Sequence, residues 1–175
     1  MKAVALILAL SVLTACGAVL PTYRDADAQI SSVVSFDPAR FAGKWFEVAR
    51  YPVVFQTGCS NTTAEYGVTG PGTISVLNTC TRGGEVETIA GSGRVVGPGR
   101  LKIDLNGVPF DADYWVLWVD ESYRTAVIGT PSGRAGWILN RTPDIPADRW
   151  AAAREILQFN GYRLDELQMT PQAGT

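Results

Sequence analysis

Histidine is absent from all 175 residues, and that one absence removes most of the familiar catalytic constellations. A Ser-His-Asp triad, a Cys-His dyad and a His-ligated zinc site are excluded. Cysteine is scarce: Cys16, Cys59 and Cys80 lie too far apart in the chain to read as a metal cage. Charged residues make up only 18%, the net charge is −2, and there is no basic run. Neither nucleic acid nor an electrostatic membrane patch is therefore expected as a partner. Phosphate-loop chemistry is missing too. Gly91-Ser92-Gly93 and Gly97-Pro98-Gly99 precede no helix and no Lys-Ser/Thr, and they read as turn or bulge glycines. No cofactor, no metal and no catalytic residue is expected, although carboxylate or lysine chemistry stays open.

What is present is apolar and β-rich. Hydrophobic residues are 46%, and 18 Gly and 10 Pro are scattered among β-branched and aromatic residues. That pattern points to many short strands joined by turns. Strand runs are read at Gly43–Tyr51, Asn61–Val68, Thr73–Cys80, Val86–Val96, Leu101–Leu105, Asp113–Asp120, Arg124–Gly129 and Ala135–Arg141. Tight turn signals such as Gly70-Pro71-Gly72, Gly97-Pro98-Gly99 and Asn106-Gly107 separate them. Eight consecutive strands favour an all-β, antiparallel, up-and-down meander. Closure of such a sheet removes its edges and leaves room for side chains or one small ligand.

A C-terminal α-helix follows, with Asp144 as its cap and Pro146 in its first turn. Trp150, Ala153, Arg154 and Leu157 share one face that can pack on the barrel wall, and Asn160-Gly161 stops the helix. Leu164, Leu167 and Met169 are expected in a segment that returns to the barrel.

The N-terminus reads as an address. Lys2 precedes an apolar run, Ala3 to Leu13, too short to span a bilayer comfortably. Leu13-Thr14-Ala15-Cys16 is similar to a bacterial lipobox, which implies residues 1–15 as signal peptide and acylation of Cys16. Acyl chains there would anchor the chain to a membrane, each buried methylene adding about 0.8 kcal/mol. Gly17, not Asp, resembles the outer-membrane export pattern. The implied location is a bacterial outer membrane, with the protein lipid-anchored and facing the periplasm. The alternative, ordinary cleavage at Ala15 leaving Cys16 a free thiol, stays open. Residues 16–35 read as a polar tether and 36–175 as the folded domain.

Cys59 and Cys80 sit symmetrically about Thr69 and Gly70, as opposite positions on one hairpin would, and export makes a disulfide the natural reading. Should Ala64 pair directly with Val76, Cys59 would fall opposite Thr81, so a bulge or shift is required. Two free thiols are the alternative.

Phe41-Ala42-Gly43-Lys44-Trp45-Phe46-Glu47-Val48, Tyr114-Trp115-Val116-Leu117-Trp118 and Trp137-Ile138-Leu139-Asn140-Arg141-Thr142-Pro143 together resemble the lipocalin family. The likeness is greatest to its bacterial outer-membrane lipoprotein branch, related to apolipoprotein D and temperature-induced lipocalins. A second family motif survives only as Asp120, with altered neighbours. The resemblance implies a calycin barrel whose floor is closed by Arg141 stacked over Trp45, a cation–π contact worth about 1 kcal/mol. It also implies binding of fatty acids or lysophospholipids rather than catalysis, with a homodimer left open.

Strand alternation from Trp45 puts Glu47, Ala49 and Tyr51 on the interior face, and alternation from Arg141 adds Leu139 and Trp137. Tyr114, Val116 and Trp118 are taken as inward by family analogy, with Ala126 and Ile128 on the next strand. Phe55 is placed at or beside the mouth. Glu47 reads as structural, paired with an Arg or Tyr near the floor, or else as a ligand contact. Two other functions stand beside carriage: an envelope stress or interaction protein with a filled barrel, and a lipid-modifying enzyme.

Overall fold

The computed structural model describes residues 21–173, so the expected signal segment and Cys16 lie outside the described residues. A short helix α1 (Pro38–Phe41) precedes β1 (Gly43–Arg50), β2 (Ser60–Gly70), β3 (Thr73–Arg82), β4 (Glu85–Gly97), β5 (Arg100–Leu105), β6 (Ala112–Val119), β7 (Thr125–Gly129) and β8 (Gly136–Asn140). Helix α2 (Ala147–Phe159) and a two-residue strand β9 (Gln168–Met169) follow. Each expected strand is present, displaced by one or two residues at its ends. Sequential strands pair antiparallel from β2 to β8, β8 pairs with β1, and β1 pairs with β2 to close the barrel.

Two apolar cores result. One fills the lower barrel around Trp45, Tyr66, Leu101, Val116 and Ile128. The other lies outside the wall, where Ala153 and Leu157 of α2 meet Leu117, Val127 and Ile138. Strand β7 serves both cores, so all five of its residues are buried.

Arg154, expected on the packed face of α2, is exposed and lies along the Trp150 ring instead. The helix cap also differs from expectation. Pro146 itself is the N-cap, which leaves Asp144 two residues outside, its carbonyl accepting from Asn140 and Thr142. Gly91 and Gly93 occupy neither turn nor bulge. They run within β4 in unbroken register with β3, and a Cβ on Gly93 would lie 2.7 Å from Ile103 and 2.9 Å from Ile74. Close packing against those side chains demands glycine there.

The stretch read as a tether is partly structural. Tyr23 and Arg24 are buried, Tyr23 donates its backbone N–H to the Gly133 carbonyl, and Arg24 bridges to Tyr162. The rings of Tyr23, Tyr51 and Tyr162 stack in series, 5.1 Å apart at each step. Further on, Ser31 and Val33 bond to Asn160 and Val116. Asp25 and Asp27 made this segment read as solvated; Tyr23 decides where it lies.

Strand β1 pairs with β2 only as far as Phe46. Beyond that point the C-terminal residues occupy the seam. β9 pairs with Ala49 and Arg50, the Thr170 N–H donates to the Val48 carbonyl, and the Asn61 N–H donates to the Pro171 carbonyl. Gln172 bridges the two strands by donating to the Glu47 and Thr62 carbonyls at 2.7 and 3.0 Å. The expected return of Leu164 to Met169 therefore completes the wall.

Tyr66, not Ala64, pairs with Val76, and Ala64 pairs with Asn78. A register shift between Ser60 and Thr63, with Asn61 in the left-handed region at φ 50, brings Cys59 to Cys80. The two cysteines form a disulfide with Cα atoms 5.5 Å apart. Changing both to serine is expected to lower the unfolding free energy by about 3 kcal/mol, the entropy of an opened loop of this size. Urea denaturation measures it; an unchanged midpoint would show that the unfolded chain gains nothing from release.

Candidate functional site

The closed end is built around one indole. Trp45 is fully buried, and its N–H donates to the Phe41 carbonyl at 2.8 Å. The Arg141 guanidinium lies 3.8 Å above the ring centroid. Its nitrogens donate to the carbonyls of Lys44, Ala42, Arg40, Phe41 and Tyr123, at 2.9 to 3.3 Å. Those include carbonyls left without intrahelical partners at the end of α1, so one cation caps the helix and seals the floor. Burial holds the guanidinium below its usual pKa. Gly43 shows why the motif has glycine: φ is +92°, and a Cβ would sit 3.4 Å from Arg141 Nη1.

Asp120, the remnant of the second motif, shapes the neighbouring turn. Its carboxylate accepts the N–H groups of Arg124 and Thr125 at 2.5 and 2.6 Å. Burial pushes its pKa up, but these bonds outweigh burial and hold it below the usual carboxylate value.

Above the floor an aromatic column rises through the barrel. Phe41 touches Trp45 and Tyr66, Tyr66 meets Tyr114 at 6.1 Å, and Tyr114 stacks toward Trp137 at 6.3 Å. The Tyr66 and Tyr114 hydroxyls are 2.7 Å apart. Val116, Ala126, Ile128 and Leu139 belong to the same interior. On the opposite wall, Asn78, Ile89, Gly91 and Leu105 share the inward face, as their pairing with one another and with Val76 requires.

Three expected lining residues are elsewhere. A bulge between Glu47 and Ala49 reverses the alternation of β1, sending Ala49 and Tyr51 to the outer core and turning Arg50 inward beside Trp137. A second bulge, between Val116 and Trp118, does the same on β6, so Trp118 packs outside. Strict period two fails wherever one extra residue enters a strand. Phe55 is 65% exposed, on a 3₁₀ turn (Val54–Gln56) at the rim, and does not line the interior.

The mouth carries a polar node that sequence reading missed. Glu47 accepts from Arg50 at 2.7 Å, Gln56 at 2.6 Å and Thr170 at 2.7 Å. Gln56 in turn accepts from the Trp137 indole at 2.9 Å. The Glu47 partner thus comes from the mouth side, not from the floor, because the bulge turns Arg50 inward. Arg50 also donates to the Gln56 and Cys59 carbonyls, while Arg82 donates to those of Phe55 and Thr57. Two guanidiniums, one amide and a disulfide therefore pin residues 51–59 across the entrance. Of the missed residues, Tyr66 was accessible by alternation from Ala64. Arg50 and Gln56 had no local signal.

The interior is graded. Leu101, Val116, Ala126 and Ile128 at depth have no exposure. Asn78, Ile89, Gly91, Leu105, Tyr114 and Trp137 face inward yet remain half-buried. The upper barrel is therefore a less tightly filled cup over a packed base. Among the described residues, no group of His, Cys, Asp or Glu is placed to hold a metal ion.

Residues 36–172 match the family model of the lipocalin-like domain. Temperature-induced lipocalin-1 of Arabidopsis thaliana is 33% identical over 158 residues, covering 84% of this chain and 85% of its own. The outer membrane lipoprotein Blc of Vibrio cholerae is 38% identical over 125 residues, 66% of this chain and 71% of its own. In fold, the chain is similar to insecticyanin from the tobacco hornworm Manduca sexta, with a TM-score of 0.68 at 19% identity over 88% of each chain.

Proposed function

The chain belongs to the lipocalin family, and from that premise we propose that it carries or stores a small lipophilic molecule, a fatty acid or lysophospholipid, at an outer membrane. The half-buried inward face above a sealed floor carries this reading. An apolar wall of that kind binds acyl chains by burial, at about 25 cal/mol per Å². Anchoring through an acylated Cys16 is supported by the lipobox-like tetrapeptide and by similarity to a protein named as an outer membrane lipoprotein.

Catalysis finds little support, since the chain has no histidine and its two described cysteines are bonded to each other. A barrel filled by its own side chains is favoured only by the packed base.

Native mass spectrometry of the gently purified barrel distinguishes the readings. A stoichiometric adduct of lipid mass is expected. A mass that stays bare after incubation with palmitate, with a lysophospholipid and with monopalmitoylglycerol would overturn carriage. The mass of the mature N-terminal peptide tests the anchor separately.

A further inference from the structure

We infer that the cup selects a lipophile whose polar group is an uncharged hydrogen-bond acceptor, received by the Tyr66–Tyr114 hydroxyl pair, and discriminates against a free carboxylate. This rests on the carrier reading and puts a neutral lipid in the place of the charged ones named there.

The first observation is a proton without a protein acceptor. Two phenols 2.7 Å apart share one hydrogen bond, which engages one of their two protons. Tyr66 is 5% exposed, and among the described residues no other group accepts from either hydroxyl. Burial raises both phenols above their ordinary pKa, so both protons are in place at neutral pH. Two further uncharged groups share the inward face: Thr62, whose hydroxyl is buried with no partner, and the half-buried amide of Asn78. A ketone, ester, amide or hydroxyl oxygen satisfies such a set. A donor left in the barrel without an acceptor is unfavourable, and such an oxygen relieves it.

The second observation is where the cations are. Arg50 is held by Glu47 and two carbonyls, and Arg82 by Glu87 and two carbonyls. Arg141 lies beneath Trp45, and Lys102 and Arg94 pair with Asp113 and Asp111. Among the described residues, no unpaired cation faces the cup. Glu47 also faces inward, and its field adds to burial in raising both phenols. A carboxylate entering here would lose its water and meet no free counter-ion, because Glu47 already holds Arg50.

The test compares palmitate with monopalmitoylglycerol at pH 8, followed by tryptophan fluorescence titration. The neutral lipid is expected to bind at least about tenfold more tightly, corresponding to ~1.4 kcal/mol. A double change, Tyr66→Phe with Tyr114→Phe, is expected to collapse that ratio by weakening the neutral lipid alone. Glu47→Gln releases Arg50 from its partner and is expected to strengthen palmitate binding about tenfold. Palmitate binding as tightly as the glyceride to the unaltered protein would overturn the inference and leave carriage standing. An unchanged ratio in the double variant would remove the tyrosines from it. Failure of both lipids to bind would overturn carriage, and this inference with it.

Discussion

Alanine in place of Trp45 is expected to lower the unfolding free energy by about 3–5 kcal/mol, the range for deleting a large buried aromatic. Three losses coincide at this position. The ring is fully buried, so its removal leaves a cavity at the base of the barrel. The bond from its indole N–H to the Phe41 carbonyl disappears. Arg141 loses the face it covers, although its carbonyl partners remain. Phenylalanine restores most of the volume and the stacking surface but not the N–H, and should recover more than half of the loss. Equilibrium denaturation in urea measures both variants. A Trp45→Ala loss below about 1 kcal/mol would mean that the floor repacks freely.

The second large effect is expected at Glu47. Its side chain is 4% exposed and that of Arg50 12%, with the ion pair closed at 2.7 Å. Glu47→Ala leaves the guanidinium half-enclosed with one acidic partner fewer, and strips Gln56 and Thr170 of their acceptor. Breaking a buried pair from one side typically costs about 3–5 kcal/mol. The pair itself contributes much less, because both ions were desolvated to form it. Changing Glu47 and Arg50 together is therefore expected to be less damaging than Glu47→Ala alone. A double variant as unstable as the sum of the singles would show that the two side chains act independently. Loosening of residues 51–59 should accompany the single change, visible as new proteolytic cuts near Phe55.

Strand existence was legible because apolar alternation and Gly/Pro turns act locally. The floor was legible because Trp45 and Arg141 stand in distinctive settings at the start and end of the barrel. Lining assignments failed at one kind of place. Ala49, Tyr51 and Trp118 each follow a bulge, and a bulge is settled by how two strands accommodate each other, not by either strand's residues. The same bulge that misplaced Ala49 delivers Arg50 to Glu47, so the polar node was hidden with it. Tyr23 was overlooked for a different reason. Its partners, Tyr51 and Tyr162, are remote in sequence, and only the fold brings the three rings together. Gln172 likewise gains its role from a gap between β1 and β2 that no local pattern announces.

That gap sets an order on biosynthesis. The outer half of β1 is among the earliest parts of the barrel to be made, yet its neighbours are β8 and residues 168–172. While the chain is being synthesised, those backbone N–H and C=O groups have no strand to meet. Such long-range pairing is slow and leaves an uncovered edge open to other chains in the meantime. The barrel thus closes only after residues 168–172 have been made. A chain clipped before Gln168 would keep its hydrophobic strands while losing the segment that hides their edge.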